Sequence, residues 1–314
     1  MRAITQDRYG PPETLRVEEI DRPTFGDGDV LLRVHAAGVN PLDWHYMRGE
    51  PRIGRIGMGM SAPKPRIRGV DVAGRVEAVG KDVTELRPGD DVFGYCEGAF
   101  AEYTSGLASH FVAKPTNMTH EEAAAVPVAA VTALQGLRDF GKVQSGQLVL
   151  VIGAAGGVGT FAVQIAKAHG AEVTGVCGST NVELVTSLGA DTVIDYTLED
   201  FTKGTARYDL ILDNVGSHPI SATRKTLADG GTLVYNSGAS MARIAMAQLL
   251  SRTGRKVFNF LAKMNRDDLL VLRDLIESGK VRSAIDRTYP LQETAAAIAY
   301  LEKGHARGKV VITV

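Results

Sequence analysis

Cysteine, net charge and long apolar runs are what this 314-residue chain has least of. Its two cysteines, Cys96 and Cys177, are too few for a disulfide framework and too far apart for a metal knuckle. That fits a reducing compartment, and a cytoplasmic protein is expected. With 35 basic and 36 acidic side chains the formal net charge is −1. The electrostatic footprint of a nucleic-acid binder is therefore missing, and small-molecule chemistry is favoured. No stretch holds the roughly 18 uninterrupted apolar residues of a membrane span, and MRAITQDRYGPPETL at the start has no apolar run after its first basic residue. Neither a membrane partner nor a secretory leader is expected. No internal repeat or low-complexity tract appears.

The length exceeds what one hydrophobic core usually supports, so two domains are expected. The first hundred or so residues are rich in Gly, Pro and short β-branched runs, at Val30 to Ala36, Val72 to Val79, Asp91 to Phe93 and Phe111 to Ala113. The texture changes at Thr119, which has capping-box spacing to Glu122 and opens an alanine-rich helical stretch interrupted at Pro127. After Gly146 strands and helices alternate: LVLVIG, then a helix with its apolar stripe on Val158, Phe161, Ala162, Ile165 and Ala166, then AEVTGVC. Further strands are expected at Thr192 to Asp195, Asp209 to Leu212 and Thr232 to Tyr235. This alternation predicts an α/β, doubly wound parallel sheet. Asn265 can cap a helix bearing Leu269, Leu272, Leu275 and Ile276 that stops at Gly279, and the closing GKVVITV reads as a strand returning to the first domain.

The segment Gly153 to Gly159 carries an AxGxxG spacing at Ala154, Gly156 and Gly159, directly after an apolar strand and directly before an amphipathic helix. That context, more than the spacing, points to a dinucleotide whose pyrophosphate lies against Ala155, Gly156, Gly157 and Val158. Gly156 offers no side chain against the ligand, and Gly159 lets helix and strand pack closely. A tight turn with no ligand is the alternative. About twenty residues on, where an NAD site carries Asp or Glu for the ribose hydroxyls, stands Gly178, followed by Ser179, Thr180 and Asn181. Hydroxyl and amide groups at a helix start suit a 2′-phosphate, so NADPH is expected over NADH. The same three residues also make an ordinary helix cap, and no Arg or Lys stands among them.

In order along the chain, AAGVNPLDW (36–44), GVDVAGRVEAVG (69–80), RPGDDVFG (87–94), GAFAEY (98–103), AAAVPVAAVTAL (123–134), GAAGGVG (153–159), LGADTVIDY (188–196) and ARGKVVI (306–312) resemble the medium-chain dehydrogenase/reductase superfamily. Within it they are most similar to the zinc-independent quinone-oxidoreductase-like branch. The resemblance covers nearly the whole chain. It implies a GroES-like β-barrel catalytic domain (1–118, completed by 284–314) and a Rossmann NADPH-binding domain (119–283), with the nicotinamide in the cleft between them. Zinc-dependent members hold their metal with Cys, His and a second Cys or Asp. Here the first position is Asn40, the His position is Val70, and no cysteine stands near Ala123 to Pro127. Neither Asn40 nor Val70 suits tetrahedral zinc. No metal site is expected, and His45 and Asp71 are read as structural or substrate-facing.

Without a Lewis acid simple ketones are poor hydride acceptors, whereas quinones and carbon–carbon double bonds conjugated to a carbonyl are already electrophilic. The expected reaction moves a hydride from NADPH to such a compound, with the developing oxyanion met by hydrogen-bond donors. The resemblance implies that Asn40 and Thr132 lie near the nicotinamide and Tyr196 near the adenosine ribose. It also implies that Asn214, Val215, Asn236, Ser237 and Gly238 contact the cofactor after their strands, and that Arg307 and Lys309 close over it. Ordinary alternatives are turn formers for Asn214 and Asn236, a helix residue for Thr132 and an exposed strand lysine for Lys309. Tyr46 and His45, following Asn40, are candidate proton donors or carbonyl-polarising groups, or simply pack against the barrel or one another. Residues 48–68, with six basic side chains against one Glu, read as a lid favouring an anionic tail such as a coenzyme A thioester, or as a solvated loop. An enoyl-thioester reductase and a non-catalytic NADPH sensor are the competing functions. The resembled branch commonly pairs as homodimers, and the Thr232 to Tyr235 strand is expected at the sheet edge where they do so.

Overall fold

The computed structural model describes residues 1–236 and 255–314. Ser237 and Gly238, expected at the cofactor, lie outside the described residues. The chain divides into two units, one of residues 1–128, 264–277 and 283–314, the other of residues 129–263 and 278–282.

In the second unit the apolar runs form a six-stranded parallel sheet. Its order is Thr192–Asp195, Glu172–Cys177, Leu148–Ile152, Tyr208–Asp213, Leu227–Tyr235 and Lys256–Asn259. Val149, Leu150, Val151 and Ile152 are all buried, as a strand covered on both faces requires. The helix Gly157–Ala168 buries Phe161, Ala162, Ile165 and Ala166, which is the stripe expected of it. The expectation for Thr232 to Tyr235 needs correction. That strand is longer, Leu227–Tyr235, and is not at the edge, because Lys256–Asn259 pairs alongside it from Thr232↔Lys256 to Tyr235↔Asn259. The covering strand, KVFN, is too short and too polar to announce itself in the sequence.

The first unit is built on a seven-stranded sheet. Asp29–Val39 pairs along one edge with Asp71–Val79, and along the other with Tyr103–Leu107 near its start and Lys309–Thr313 near its end. Asp91–Tyr95 and Phe111–Ala113 extend the sheet on one side and Ile285–Pro290 on the other. The closing strand therefore does return to the first domain, antiparallel to Asp29–Val39 with Val310 opposite Val39. Its core gathers Val30, Leu32, Val34, Phe100, Phe111 and Ile312.

The division falls later than the change of texture at Thr119. Thr119 and Glu122 do form the expected capping box, but the helix they open, His120–Ala124, packs on the first unit's strands Asp29–Val39 and Asp71–Val79. The helix Arg266–Glu277, capped by Asn265 as expected (Asp268 N to Asn265 Oδ1, 2.8 Å), also belongs to this unit. Helix and strand approach so closely that a Cβ at Gly38 would collide with the carbonyl oxygen of Ala124. Gly38→Ala should therefore cost about 1–3 kcal/mol and lower the melting temperature by several degrees. Gly28→Ala, where a Cβ meets nothing within 4 Å, should leave it nearly unchanged in the same calorimetric scan.

Candidate active site

The Leu148–Ile152 strand turns at Gly153, whose φ of +77° favours glycine. Gly156 N donates to Gly153 O at 3.1 Å, and the helix Gly157–Ala168 begins with Gly156 at its cap. The two later glycines of the motif answer different needs. A Cβ at Gly159 would collide with Gly153 O, so helix–strand packing demands glycine there. A Cβ at Gly156 would meet only Gly153 O, at 3.5 Å. Nothing in the protein requires glycine at 156, whereas a pyrophosphate against the helix N-terminus does.

Beside this turn the next two strands end in asparagines. Asn214 Nδ2 donates to Ile152 O (3.1 Å) and Asn236 Nδ2 to Asn214 Oδ1 (3.1 Å), and a Cβ at Gly153 would strike Val215 Cγ2. Ala155, Gly156, Gly157, Val158, Asn214, Val215 and Asn236 are thus brought together at the carboxyl ends of the parallel strands, where α/β sheets bind ligands. Asp213, which sequence reasoning missed, makes this possible. Its Oδ1 accepts from Val215 N (3.0 Å) and Gly216 N (2.8 Å), fixing the turn. An acid closing the strand just before Asn-Val-Gly was the available signal.

At the end of Glu172–Cys177, Gly178 faces Tyr196, whose hydroxyl would lie 3.2 Å from any Cβ placed there. A side chain at 178 would press on the exposed Tyr196 ring, which would have to give by a few tenths of an ångström. Ser179 Oγ lies 2.8 Å from Thr197 Oγ1, which donates to Asp195 Oδ1 at 2.7 Å. Asp195 was also missed. Hydrogen bonds from Ser179 and Thr197 hold its carboxyl below the usual range. Thr180 is exposed, and Asn181 keeps a buried Oδ1 without a hydrogen bond.

In the first unit, Asn40, Asp71 and Lys309 form one buried cluster, 2%, 0% and 3% exposed. Lys309 Nζ donates to Asn40 Oδ1 (2.5 Å), Val39 O (3.2 Å) and Asp71 Oδ2 (3.4 Å). Asn40 Nδ2 donates to Asp71 Oδ2 (2.9 Å), and Val128 N to Asp71 Oδ1 (3.0 Å). Lys309 is not the exposed strand lysine considered above, because its three N–H donors are all taken inside the domain. Burial pushes the Asp71 carboxyl up, against the pull of Lys309, Asn40 and the Val128 amide. Arg307 is exposed, its backbone N donating to Asp286. Thr132 is buried in the second unit, on the helix Pro127–Gln135.

Asn40 caps the helix Pro41–Arg48, and its backbone N donates to Asp43 Oδ2 at 2.7 Å. Asp43 is fully buried with Oδ1 unpartnered, and burial raises its carboxyl to about 7, against the pull of the Asn40 amide. His45 stacks on Trp44 with centroids 3.6 Å apart, and burial lowers its basicity. Tyr46 is half-buried, and burial keeps its phenol protonated. Asp71 is taken up by the cluster, and among the described residues no group of three or more His, Cys, Asp or Glu could hold a metal ion.

Two stability predictions follow from these buried charges. Lys309→Met, which strands Asp71, should cost about 3–5 kcal/mol, and Asp71→Leu with Lys309→Met should recover most of it, as chemical denaturation would measure. The folded protein keeps a proton on Asp43 from about pH 4, where an unfolded chain releases it, to about 7. Stability from this group is therefore greatest at low pH, falls as pH rises through that window, and bears the full penalty above it. Asp43→Asn keeps an acceptor for Asn40 N. It should raise the melting temperature at pH 8 and have little effect at pH 4.

Comparison with known proteins agrees with this construction. The family model described as an alcohol dehydrogenase GroES-like domain matches residues 26–135, and one described as a zinc-binding dehydrogenase matches residues 188–312. The 2-methylene-furan-3-one reductase of Solanum lycopersicum is 36% identical over 99% of this chain and 79% of its own length. The chloroplastic NADPH-dependent alkenal/one oxidoreductase of Arabidopsis thaliana is 34% identical over the same shares. The solved quinone oxidoreductase of Coxiella burnetii superposes with a TM-score of 0.90 at 29% identity, covering 100% of this chain and 99% of that one. The turn at Gly153 to Gly159, the six-stranded parallel sheet, the strand that returns to close the first domain and these relatives make the chain a member of the medium-chain dehydrogenase/reductase superfamily, in its quinone-oxidoreductase-like branch.

Proposed function

We propose that this protein is a metal-free reductase that passes a hydride from NADPH to quinones or to carbon–carbon double bonds conjugated to a carbonyl. The observation that carries the reading is the Gly153–Gly159 turn, where packing demands Gly159 but not Gly156, the position a close ligand would keep free of a side chain. Bound there, the nicotinamide would supply the hydride. This chain's own part is to hold and orient. Ala155 to Val158 would bind the pyrophosphate, and Asn214, Val215 and Asn236 would line the strand ends beside it. Gly178 stands where a site that selects NADH carries an acid, which favours NADPH. Asn40, fixed by Lys309 and Asp71, and Tyr46, a phenol that stays protonated, would face the acceptor and its developing oxyanion. Lys309 then acts as a positioning residue.

Asn40 and Val70 stand where zinc-dependent relatives have ligands, which supports chemistry without a metal. An acceptor that is already electrophilic removes the need for one. The names of the Arabidopsis and tomato relatives support the same acceptor class. Pairing as a homodimer would use the Lys256–Asn259 edge, where Phe258 is 36% exposed. A cytoplasmic location fits two buried, unpaired cysteines, and among the described residues no helix is long and apolar enough to cross a membrane.

Oxidation of the cofactor by 1,4-benzoquinone and by an enone, followed by nicotinamide absorbance, tests the reading. NADPH should bind at least about tenfold more tightly than NADH, a difference of about 1.4 kcal/mol. A preference for NADH would overturn the cofactor assignment, and tight binding without turnover across a broad acceptor panel would support a sensor instead. Gly156→Ala should weaken NADPH binding by about tenfold or more while leaving the melting temperature in place.

A further inference from the structure

The basic loop 48–68 is largely neutralised by its own domain. Arg48 pairs with Glu302, Arg66 with Asp7 and Glu18, and Arg55 lies over the Tyr9 ring while donating to the Gly49 and Arg48 carbonyls. Arg52 and Lys64 are exposed. Arg68 differs from all of these. It is 3% exposed, pairs with no carboxylate among the described residues, and has one hydrogen bond, from Nη2 to the carbonyl of Pro65. Its Nε is buried with no partner.

Burying a guanidinium without a counter-ion costs several kcal/mol, and a neutral side chain would fill the same space without that cost. The nearby carboxyl, Asp43, acts on Arg68 electrostatically without touching it, and its own Oδ1 is equally orphaned. Glu97 and Tyr46 also lie within electrostatic reach, the first exposed and the second half-buried. A buried cation with a free N–H, set beside a carboxyl it does not engage, is arranged for a third group carrying anionic oxygen.

We propose that Arg68 is the substrate-recognition cation of this enzyme and that its preferred acceptors are enones bearing a carboxylate, held by the guanidinium Nε–H and its neighbouring N–H. The proposal rests on the reductase reading above and adds its substrate class. A carboxylate suits this site better than a phosphate-bearing tail, because a single planar anion matches the free edge of one guanidinium. For the simplest such acceptor, 4-oxopent-2-enoate, hydride from NADPH and a proton from solvent add across the carbon–carbon double bond. The products are 4-oxopentanoate and NADP⁺.

The experiment compares kcat/KM for 4-oxopent-2-enoate with that for its methyl ester, in the native protein, Arg68→Gln and Arg68→Lys. The acid-to-ester ratio should fall about twentyfold or more in Arg68→Gln, chiefly through KM of the acid, and recover in part in Arg68→Lys. An unchanged ratio would overturn the proposal, as would a parallel loss on both acceptors. Calorimetric titration of the NADPH-loaded protein with 4-oxopentanoate separates this result from failure of the reductase reading. If no acceptor is turned over but the carboxylate binds and Arg68→Gln abolishes binding, Arg68 stands as an anion site and the reductase reading falls. If the native protein does not bind it, the anion site falls.

Discussion

One buried ammonium governs the geometry of the first domain. Lys309 comes from the last strand, Asn40 follows the strand Asp29–Val39, and Asp71 begins the strand that pairs with it, so the node joins segments as far as 269 residues apart. Taking an ammonium and a carboxylate out of water costs several kcal/mol each, and the cost is offset only when both find complete partners. The last strand must therefore arrive with Nζ on both acceptors or leave two charges stranded, which couples closure of the sheet to the integrity of the site. The same contacts set the Asn40 amide with Oδ1 toward the cation and Nδ2 toward Asp71. Because Asn40 caps the helix Pro41–Arg48, they also set where Trp44, His45 and Tyr46 begin.

Much of the second unit was legible in the sequence because its signals are local. The run LVLVI, the glycine spacing and the stripe from Phe161 to Ala166 each lie within one element, and each reappears in the structure. The departure from the zinc-dependent pattern could be read from Asn40 and Val70 alone. What could not be read is long-range or environmental. Asp71 looked like a stray acid until packing placed Lys309 and the Val128 amide against it. Asp43 sits in a familiar helix-start position, and nothing local says that its second oxygen will be buried without a partner. The strand Lys256–Asn259 escaped because four residues ending in asparagine carry too little periodicity. Residues 119–128 took their allegiance from a contact, Ala124 on Gly38, and not from composition.

The dinucleotide motif itself mixes two kinds of constraint. Gly159 is held by the carbonyl of Gly153, and Gly153 by its positive φ and by Val215 packed against it. Both would be needed in an unliganded protein of this shape. Gly156 has room for a methyl group, so it carries information about what lies outside the protein. A spacing match weighs these positions equally, whereas geometry separates the ligand's requirement from the fold's.

That separation explains why the cofactor was easier to read than the acceptor. A pyrophosphate is bound mainly by backbone amides, whose placement follows from a short run of glycines. In the proposed reading, selection of an acceptor would depend on side chains such as Tyr46 and Arg68, whose meaning is decided by burial and by the presence or absence of a counter-charge. In the sequence, Arg68 is one of six similar cations in a loop. In the structure, five are exposed, paired or held by carbonyls and an aromatic face, and the remaining one is enclosed without a counter-ion among the described residues. On the proposed role of Arg68, a single buried charge would set the acceptor while the sheet and its glycine turn remain as they are.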